Sequence, residues 1–431
     1  MGDCPSPNQG AVVIHIPDSV AHLVDPLAGN ISLLDNRPSE LWHDSSVQFL
    51  NELSRRLMPQ AIKHGLSDVV GLAYWLRASN LIRIKSQYQF KPFGLRKGGP
   101  SVVSPFLRMG LGLVFHICPS NVPVNFAYSM AFALLAGNTS IVRLSSIESP
   151  SSDYIIRVLV KLLDLPEFRD MQKRMLFIRF EHNDVLNAFF SSIADGRVIW
   201  GGNGTVQHMR TFPIPAHARE ITFSDRYSLS VLSAEALNGL ERPSLQKFTQ
   251  QLFNDMILMD QAACSSPQLF CWLGEPAIVS IAQERLWLAL ADLVRKKKVL
   301  TPIAQMNKFV NACSSAIETP ELQTVRSVEG ILTRLELNQF LSQQDVLRGY
   351  YGTAIEIHLQ NLKQLVSIVN ESYQTITYFG IDALEIKQLV VDHSLRGIDR
   401  VVPVGQALQM GNHWDGYDVI LSLSRSIEFC A

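Results

Sequence analysis

The stretch GLVFHICPSNVPVNFAYSMAFALLAGNTSIVRL, residues 112–144, sets the fold class. It opens with a β-rich run at 112–117 and breaks at Pro119 and Pro123. A helical run at 124–135, a turn at Gly137-Asn138 and a second β-rich run at 140–144 follow. That order is the grammar of a βαβ unit. The pattern continues downstream. Ile155, Val158, Leu159 and Leu162 recur at helical spacing behind Ser152, which reads as the N-cap, and Pro166 stands past the end. Residues 175–180 read as a strand, 184–192 as a helix and 198–200 as a strand, so an α/β fold with a doubly wound parallel sheet is expected.

Upstream of this stretch, the first hundred residues read as mainly helical and loop-like, with AYWLRASNL at 73–81 as one helix face. Downstream, a second αβ region starts near Tyr227, with a helical run at 244–259, a strand at 268–273 and an amphipathic run at 276–294. From Arg396 onward turns alternate with β-rich pieces, which suits an arm packing across a domain or subunit boundary. The expected divisions are 1–225, 226–395 and 396–431.

A chain of 431 residues exceeds what one hydrophobic core supports. With 47% hydrophobic and 18% charged residues it is an ordered globular protein rather than a disordered one. A formal net charge of -1 argues against an electrostatic grip on nucleic acid. The one dense basic run, 295–298, follows an apolar helical pattern and reads as a solvated helix end. Cys4, Cys118, Cys264, Cys271, Cys313 and Cys430 show no CxxC or His/Cys metal spacing, so free thiols, no metal site and a reducing, cytoplasmic compartment are expected. The start carries no secretory pattern, although Gly2 and Ser6 match a loose myristoylation pattern.

Two segments carry chemistry. In FNDMILMDQAACSSPQ, residues 253–268, an apolar helical run ends in Gln-Ala-Ala-Cys-Ser-Ser-Pro and presents the Cys264 thiol at a chain break. In the opening stretch a strand delivers the carboxamide of Asn121 between two prolines. A thiolate and an oxyanion donor together suit acyl chemistry. Cys118 and His116 alternate on the strand before Asn121 and read as packing residues. The run Gly201-Gly202-Asn203-Gly204 could bring backbone N–H groups to a pyrophosphate ahead of a short helix, but it lacks GxGxxG spacing and a plain tight turn explains it equally.

The motifs AYWLRASNL, GLVFHICPSNVPVN, AGNTSIVRLSS, VIWGGNGTV, DQAACSSPQ, GIDRVVPVG and WDGYDVILSLSR, in this order, resemble the NADPH-dependent long-chain acyl-CoA reductases of bacterial luminescence. These are a branch of the aldehyde dehydrogenase superfamily. The resemblance implies an aldehyde dehydrogenase-like fold: a Rossmann-like cofactor domain, an α/β catalytic domain and a C-terminal bridging or oligomerisation arm. It implies Cys264 as nucleophile and Asn121, with the Cys264 backbone N–H, as oxyanion donors. It places Arg143, Ser145 and Ser146 at the adenosine ribose and Gly201, Gly202, Asn203 and Gly204 at the dinucleotide. A serine where NAD-preferring relatives place a carboxylate, beside an arginine, favours NADPH. A homo-oligomer, and an acyl-protein synthetase or acyl carrier protein as partner, also belong to what it implies.

Two departures stand out. The glutamate with which oxidising relatives hydrolyse the acyl-cysteine is missing from ITFSDRYS, residues 221–228, and no other residue of that segment suits the activation of water. A second family glutamate is replaced by Gly349 in the run Gly349-Tyr350-Tyr351-Gly352-Thr353. The expected reaction is reduction of a fatty acyl thioester to a fatty aldehyde. The rivals are an acyl-phosphate reductase, disfavoured because the cysteine stretch holds no cation, and a non-catalytic acyl-binding scaffold for a partner enzyme.

Overall fold

The computed structural model describes residues 14, 16–88, 106–340 and 347–429. The candidate myristoylation site at Gly2, Cys4 and Cys430 lie outside them. The chain divides into two units, one of residues 1–224, 411–413 and 417–431, the other of residues 225–410 and 414–416.

The first unit is built on Asp25–Gly29 (β1), Leu113–Ile117, Thr139–Arg143, Met175–Arg179, Gly196–Trp200 and Arg219–Phe223. With Phe106–Gly110 counted as β2, the five later strands are β3 to β7, and the sheet order is β1-β5-β4-β3-β6-β7. Strands β3 to β7 are parallel, and β1 runs antiparallel on β5. The helices Asn125–Leu135 and Pro150–Leu163 carry the chain outward from β3 to β5, and Asp184–Ser192 brings it back to β6 on the other side of β3. The strand order therefore reverses between β3 and β6, the crevice where such sheets bind ligands at their carboxyl ends. All eleven residues of Asn125–Leu135 are buried, which explains why that helix is apolar all round.

The boundaries differ from the sequence reading in three places. The helix Pro150–Leu163 is capped by Ser149, with Ser152 as the reciprocal partner of a capping box, because the proline fits the first helical position and pushes the cap back to the residue before it. Residues 73–81 are not one helix. Ser67–Trp75 ends, Arg77 is extended, and Ala78–Lys85 restarts with the Ala78 N–H donated to Asn51 Oδ1 at 2.8 Å. Strand β1 also lies in the segment read as helical and loop-like.

The second unit holds Tyr227–Ser233 (β8), Leu269–Leu273 (β9), Leu322–Val328 (β10), Leu332–Leu337 (β11), Thr353–Leu359 (β12), Tyr373–Phe379 (β13) and Arg400–Pro403 (β14). The order is β10-β11-β12-β9-β8-β13-β14, parallel except for the β10–β11 hairpin at one edge. Side chains alternate across the sheet as a strand requires. Phe270 and Trp272 of β9 enter a core with Phe248, Leu252, Met256, Trp287 and Leu290, while Leu269 and Cys271 face Tyr227, Ile355, Tyr373 and Ile386 on the opposite side. The final strand, Ser424–Glu428 (β15), belongs to the first unit, where it pairs antiparallel with β2. No helix among the described residues is long and apolar enough to cross a membrane.

Candidate active site

Cys264 lies, partly exposed, in the turn between the helix Arg242–Met256 and β9. The helix ends three residues earlier than its hydrophobic pattern suggests. The chain then passes through Asp260 (φ 52°) and Gln261 (φ 59°), both left-handed. The buried Gln261 side chain ties this turn to Pro267 and to residues 352–353. Its Nε2 donates to Pro267 O at 3.1 Å and Thr353 O at 2.9 Å, and its Oε1 accepts the N–H groups of Gly352 and Thr353 at 3.1 and 3.0 Å. Gln268 adds a second tie, donating to Gln261 O at 3.1 Å and accepting from the Gly349 N–H at 2.9 Å. Residues 349–353 are thereby fixed against the cysteine turn. A Cβ at Gly349 would stand 2.6 Å from Thr353 O, so this backbone has no room for a glutamate there.

Ser228, fully buried on β8, donates its hydroxyl to Cys264 O at 2.7 Å and accepts the Thr375 N–H at 3.2 Å. Burial pushes the Cys264 thiol above its ordinary range. The Arg226 backbone N–H, donated to the sulfur, pulls it down, Asp415 pushes it up, and Arg348 and Asp225 act with smaller opposing effects. These groups come from the amino ends of β8, β12 and β13 and from the turn at residue 415, so the thiol sits at the opposite end of its sheet from the usual carboxyl-end crevice.

Two expectations change here. The cysteine stretch holds no cation, yet the fold brings the Arg348 charge within Coulombic reach of the thiol and the Arg226 backbone N–H to its sulfur. Arg226 is already engaged: its Nη2 bonds Asp399 Oδ2 at 2.5 Å and Tyr373 O at 2.7 Å, and its backbone carbonyl accepts from Arg348 Nη1 at 3.0 Å. The segment 221–228 also supplies a carboxylate close enough to act on the thiol, Asp225. No local pattern in the chain signals Gln261, Ser228 or Arg226. Asp415 does stand in the quoted motif WDGYD, where Asp-Gly marks a left-handed turn.

In the first unit the candidate residues follow the carboxyl ends of three adjacent strands. Asn121 is exposed in the turn after β3, Arg143 ends β4, Ser145 and the exposed Ser146 come next, and Gly201 to Gly204 follow β6. The Arg143 guanidinium lies over the Phe180 ring, 4.5 Å from its centroid, and its buried Nε has no hydrogen-bond partner. Ser145 is partly engaged: its Oγ accepts the Ile147 N–H at 3.1 Å and its carbonyl accepts from Arg179 Nε at 3.1 Å. A Cβ at Gly201 would crowd the Thr205 side chain at 2.9 Å, and Gly202 starts the helix Asn203–Arg210 with no side-chain cap.

The packing reading of the strand before Asn121 holds. Cys118 is buried and its thiol is pushed far up by burial. His116 is fully buried, its Nδ1 2.7 Å from Ser129 Oγ, which also accepts Trp200 Nε1 at 2.9 Å. Burial lowers its pKa to about 3, so the ring is neutral.

The family model for acyl-CoA reductases (LuxC) matches residues 34–426. A long-chain acyl-protein thioester reductase 2 from Photobacterium leiognathi is 21% identical over 319 residues, covering 71% of this chain and 61% of the relative. A long-chain acyl-protein thioester reductase from Aliivibrio fischeri is 24% identical over 166 residues, covering 38% and 32%. The chain thus spans under two thirds of the length of either relative. Among solved structures, lactaldehyde dehydrogenase from Escherichia coli superposes with a TM-score of 0.63 at 11% identity, covering 89% of this chain and 85% of that one. An indole-3-acetaldehyde dehydrogenase with bound NAD+ gives 0.60 at 13% identity, covering 89% and 83%. At these identities the likeness concerns the fold, which is that of aldehyde dehydrogenases.

Proposed function

Because the chain belongs to the acyl-CoA reductase (LuxC) family, we propose that it reduces a long-chain acyl thioester to the fatty aldehyde through an acyl-Cys264 intermediate, with NADPH as reductant. One observation carries the reading: a partly exposed thiol in a turn whose backbone is held by Ser228, Gln261 and Gln268. A turn fixed in this way suits a nucleophile that must be presented at a set angle.

The Cys264 sulfur attacks the thioester carbonyl, and the tetrahedral oxyanion is held by the Asn121 carboxamide and the Cys264 backbone N–H. Collapse expels the donor thiol and leaves the acyl group on Cys264. The first unit suits a dinucleotide phosphate. The buried Arg143 Nε lacks a hydrogen-bond partner at the end of β4, next to the switch strand β3, and the glycines 201, 202 and 204 keep side chains away from the uncapped helix start. Arg143 with Ser145 and Ser146 would hold the ribose phosphate, and the backbone of residues 201–204 the pyrophosphate. NADPH bound there supplies the hydride. The same donors then hold the oxyanion from which the aldehyde leaves.

The relatives are named for protein-bound acyl groups, so the donor is taken to be an acyl group on a partner protein as well as on CoA. The ion pair with Asp399 engages Arg226, so Arg348, whose Nη1 donates to the Arg226 carbonyl, is the cation that an acyl phosphate would have to use. The test is aldehyde trapping with acyl-CoAs of graded length, acyl carrier protein thioesters and an acyl phosphate, each with NADPH. Aldehyde from a long-chain thioester is expected. Aldehyde from the acyl phosphate alone would replace the reading with its rival, and none from any donor would leave the scaffold.

A further inference from the structure

Acyl transfer to Cys264 releases a proton when the thiol attacks and consumes one when the donor thiolate departs. We infer that Asp415 takes and returns this proton, a role that rests on the function proposed above. The carboxylate belongs to a cluster built around the nucleophile. Asp415 is partly buried and left-handed (φ 47°), and the next residue, Gly416, packs so tightly on Asp399 that a Cβ would meet its Oδ1 at 3.0 Å. Asp399 pairs with the Arg226 guanidinium and donates its N–H to Gln374 O at 2.9 Å. Gln374 Nε2 is hydrogen-bonded to Asp415 Oδ1. Beside it, Thr375 bonds Ser228, which holds Cys264 O, and the Arg226 N–H reaches the Cys264 sulfur. Asp415 is thus tied to the start of β13 and Cys264 to the start of β8, and the Thr375–Ser228 bond joins the two.

The electrostatics suit the task. Burial raises the Asp415 carboxyl to about 6, against the Gln374 hydrogen bond and the Arg226 charge, which lower it, and with Asp399, which raises it. A group poised there exchanges protons near neutral pH, where an ordinary aspartate would stay ionised. Of the two carboxylates that act on the thiol, Asp415 acts more strongly than Asp225.

Protons and electron pairs balance through both halves of the reaction. As sulfur bonds to the acyl carbon, the S–H proton passes to the Asp415 carboxylate. As the bond to the donor sulfur breaks, the departing thiolate takes that proton and the carboxylate is restored. In the reductive half, departure of the aldehyde leaves Cys264 as a thiolate; the Asp415 carboxylate takes a proton from solvent and passes it to the sulfur, which restores both the thiol and the carboxylate.

Two measurements on the whole protein test this: the pH profile of Cys264 alkylation by iodoacetamide, read by peptide mass, and the pH profile of Cys264 acylation by acyl-CoA. Asp415→Asn is the variant, since asparagine adopts the left-handed backbone readily. Removing the negative charge should lower the midpoint of Cys264 alkylation. Acylation should nevertheless fall about 10²-fold or more, the usual contribution of a general base. A merely structural residue would not raise thiolate while slowing its reaction. In the unsubstituted protein, acylation should rise with pH through a midpoint near 6 as Asp415 ionises. That profile decides the matter even if the variant fails to fold.

An unchanged alkylation midpoint in folded Asp415→Asn would overturn the inference, as would undiminished acylation or the lack of an inflection near 6. If no acyl-CoA or acyl carrier protein thioester acylates the unsubstituted protein, the proposed function fails and Asp415's role with it. The alkylation profile would then still report whether the carboxylate couples to the thiol.

Discussion

The hydroxyl of Ser228 donates to the carbonyl oxygen of Cys264 at 2.7 Å, so strand β8 fixes the peptide of the candidate nucleophile, which stands just ahead of the neighbouring strand β9. Ser228→Ala leaves that carbonyl and the Thr375 N–H without their partner in a buried site. We expect a loss of about 1–3 kcal/mol in urea unfolding, the cost of unpaired buried groups, together with slower acylation of Cys264. Unchanged stability and acylation would show that the turn holds itself.

Asn121→Ala should fold and lose roughly 10²- to 10³-fold in turnover, as for one oxyanion donor. Asn121 is exposed, so little packing is lost. A loss under about tenfold, with a drop in melting temperature, would make Asn121 a structural residue of the turn after β3.

Arg143→Glu should weaken NADPH far more than NADH in direct titration, because a carboxylate replaces the cation expected at the 2′-phosphate. The stack on Phe180 is lost in both cases, so its effect cancels in the ratio of the two affinities. Equal weakening would place Arg143 away from the ribose.

Much of the fold is legible in the chain. The βαβ order of residues 112–144 survives as β3, Asn125–Leu135 and β4, because a long apolar helix between two short β-rich runs has few alternatives. The candidate nucleophile is legible as a thiol where a helical pattern stops. Less legible is what depends on distant partners. The break after Trp75 is secured by Asn51, and the antiparallel pairing of β15 with β2 joins segments far apart in the chain. Arg226, Arg348, Gln374 and Asp415 meet near Cys264 only because their strands lie side by side. No local spacing encodes such neighbours, so the expectation of a cysteine without cations, drawn from the residues adjacent in sequence, fails against the folded chain.

Acyl-Cys264 should persist for minutes in buffer without NADPH, since the segment 221–228 lacks the hydrolytic glutamate, and free CoA should reverse the adduct. Asp225, close enough to act on the thiol, is the one carboxylate of that segment that could shorten its life. Release of free fatty acid that disappears in Asp225→Asn would assign it as a water-activating base. The chain would then be a hydrolase or an oxidising enzyme.

Acyl transfer through Cys264 is read without intermediaries from the intact mass of the protein after incubation with long-chain acyl-CoA, then with NADPH. One added acyl group is expected, mapped to Cys264 and missing in Cys264→Ser, which NADPH removes as an equal amount of fatty aldehyde. An adduct retained by Cys264→Ser, or one that NADPH leaves in place, would contradict the proposed reaction.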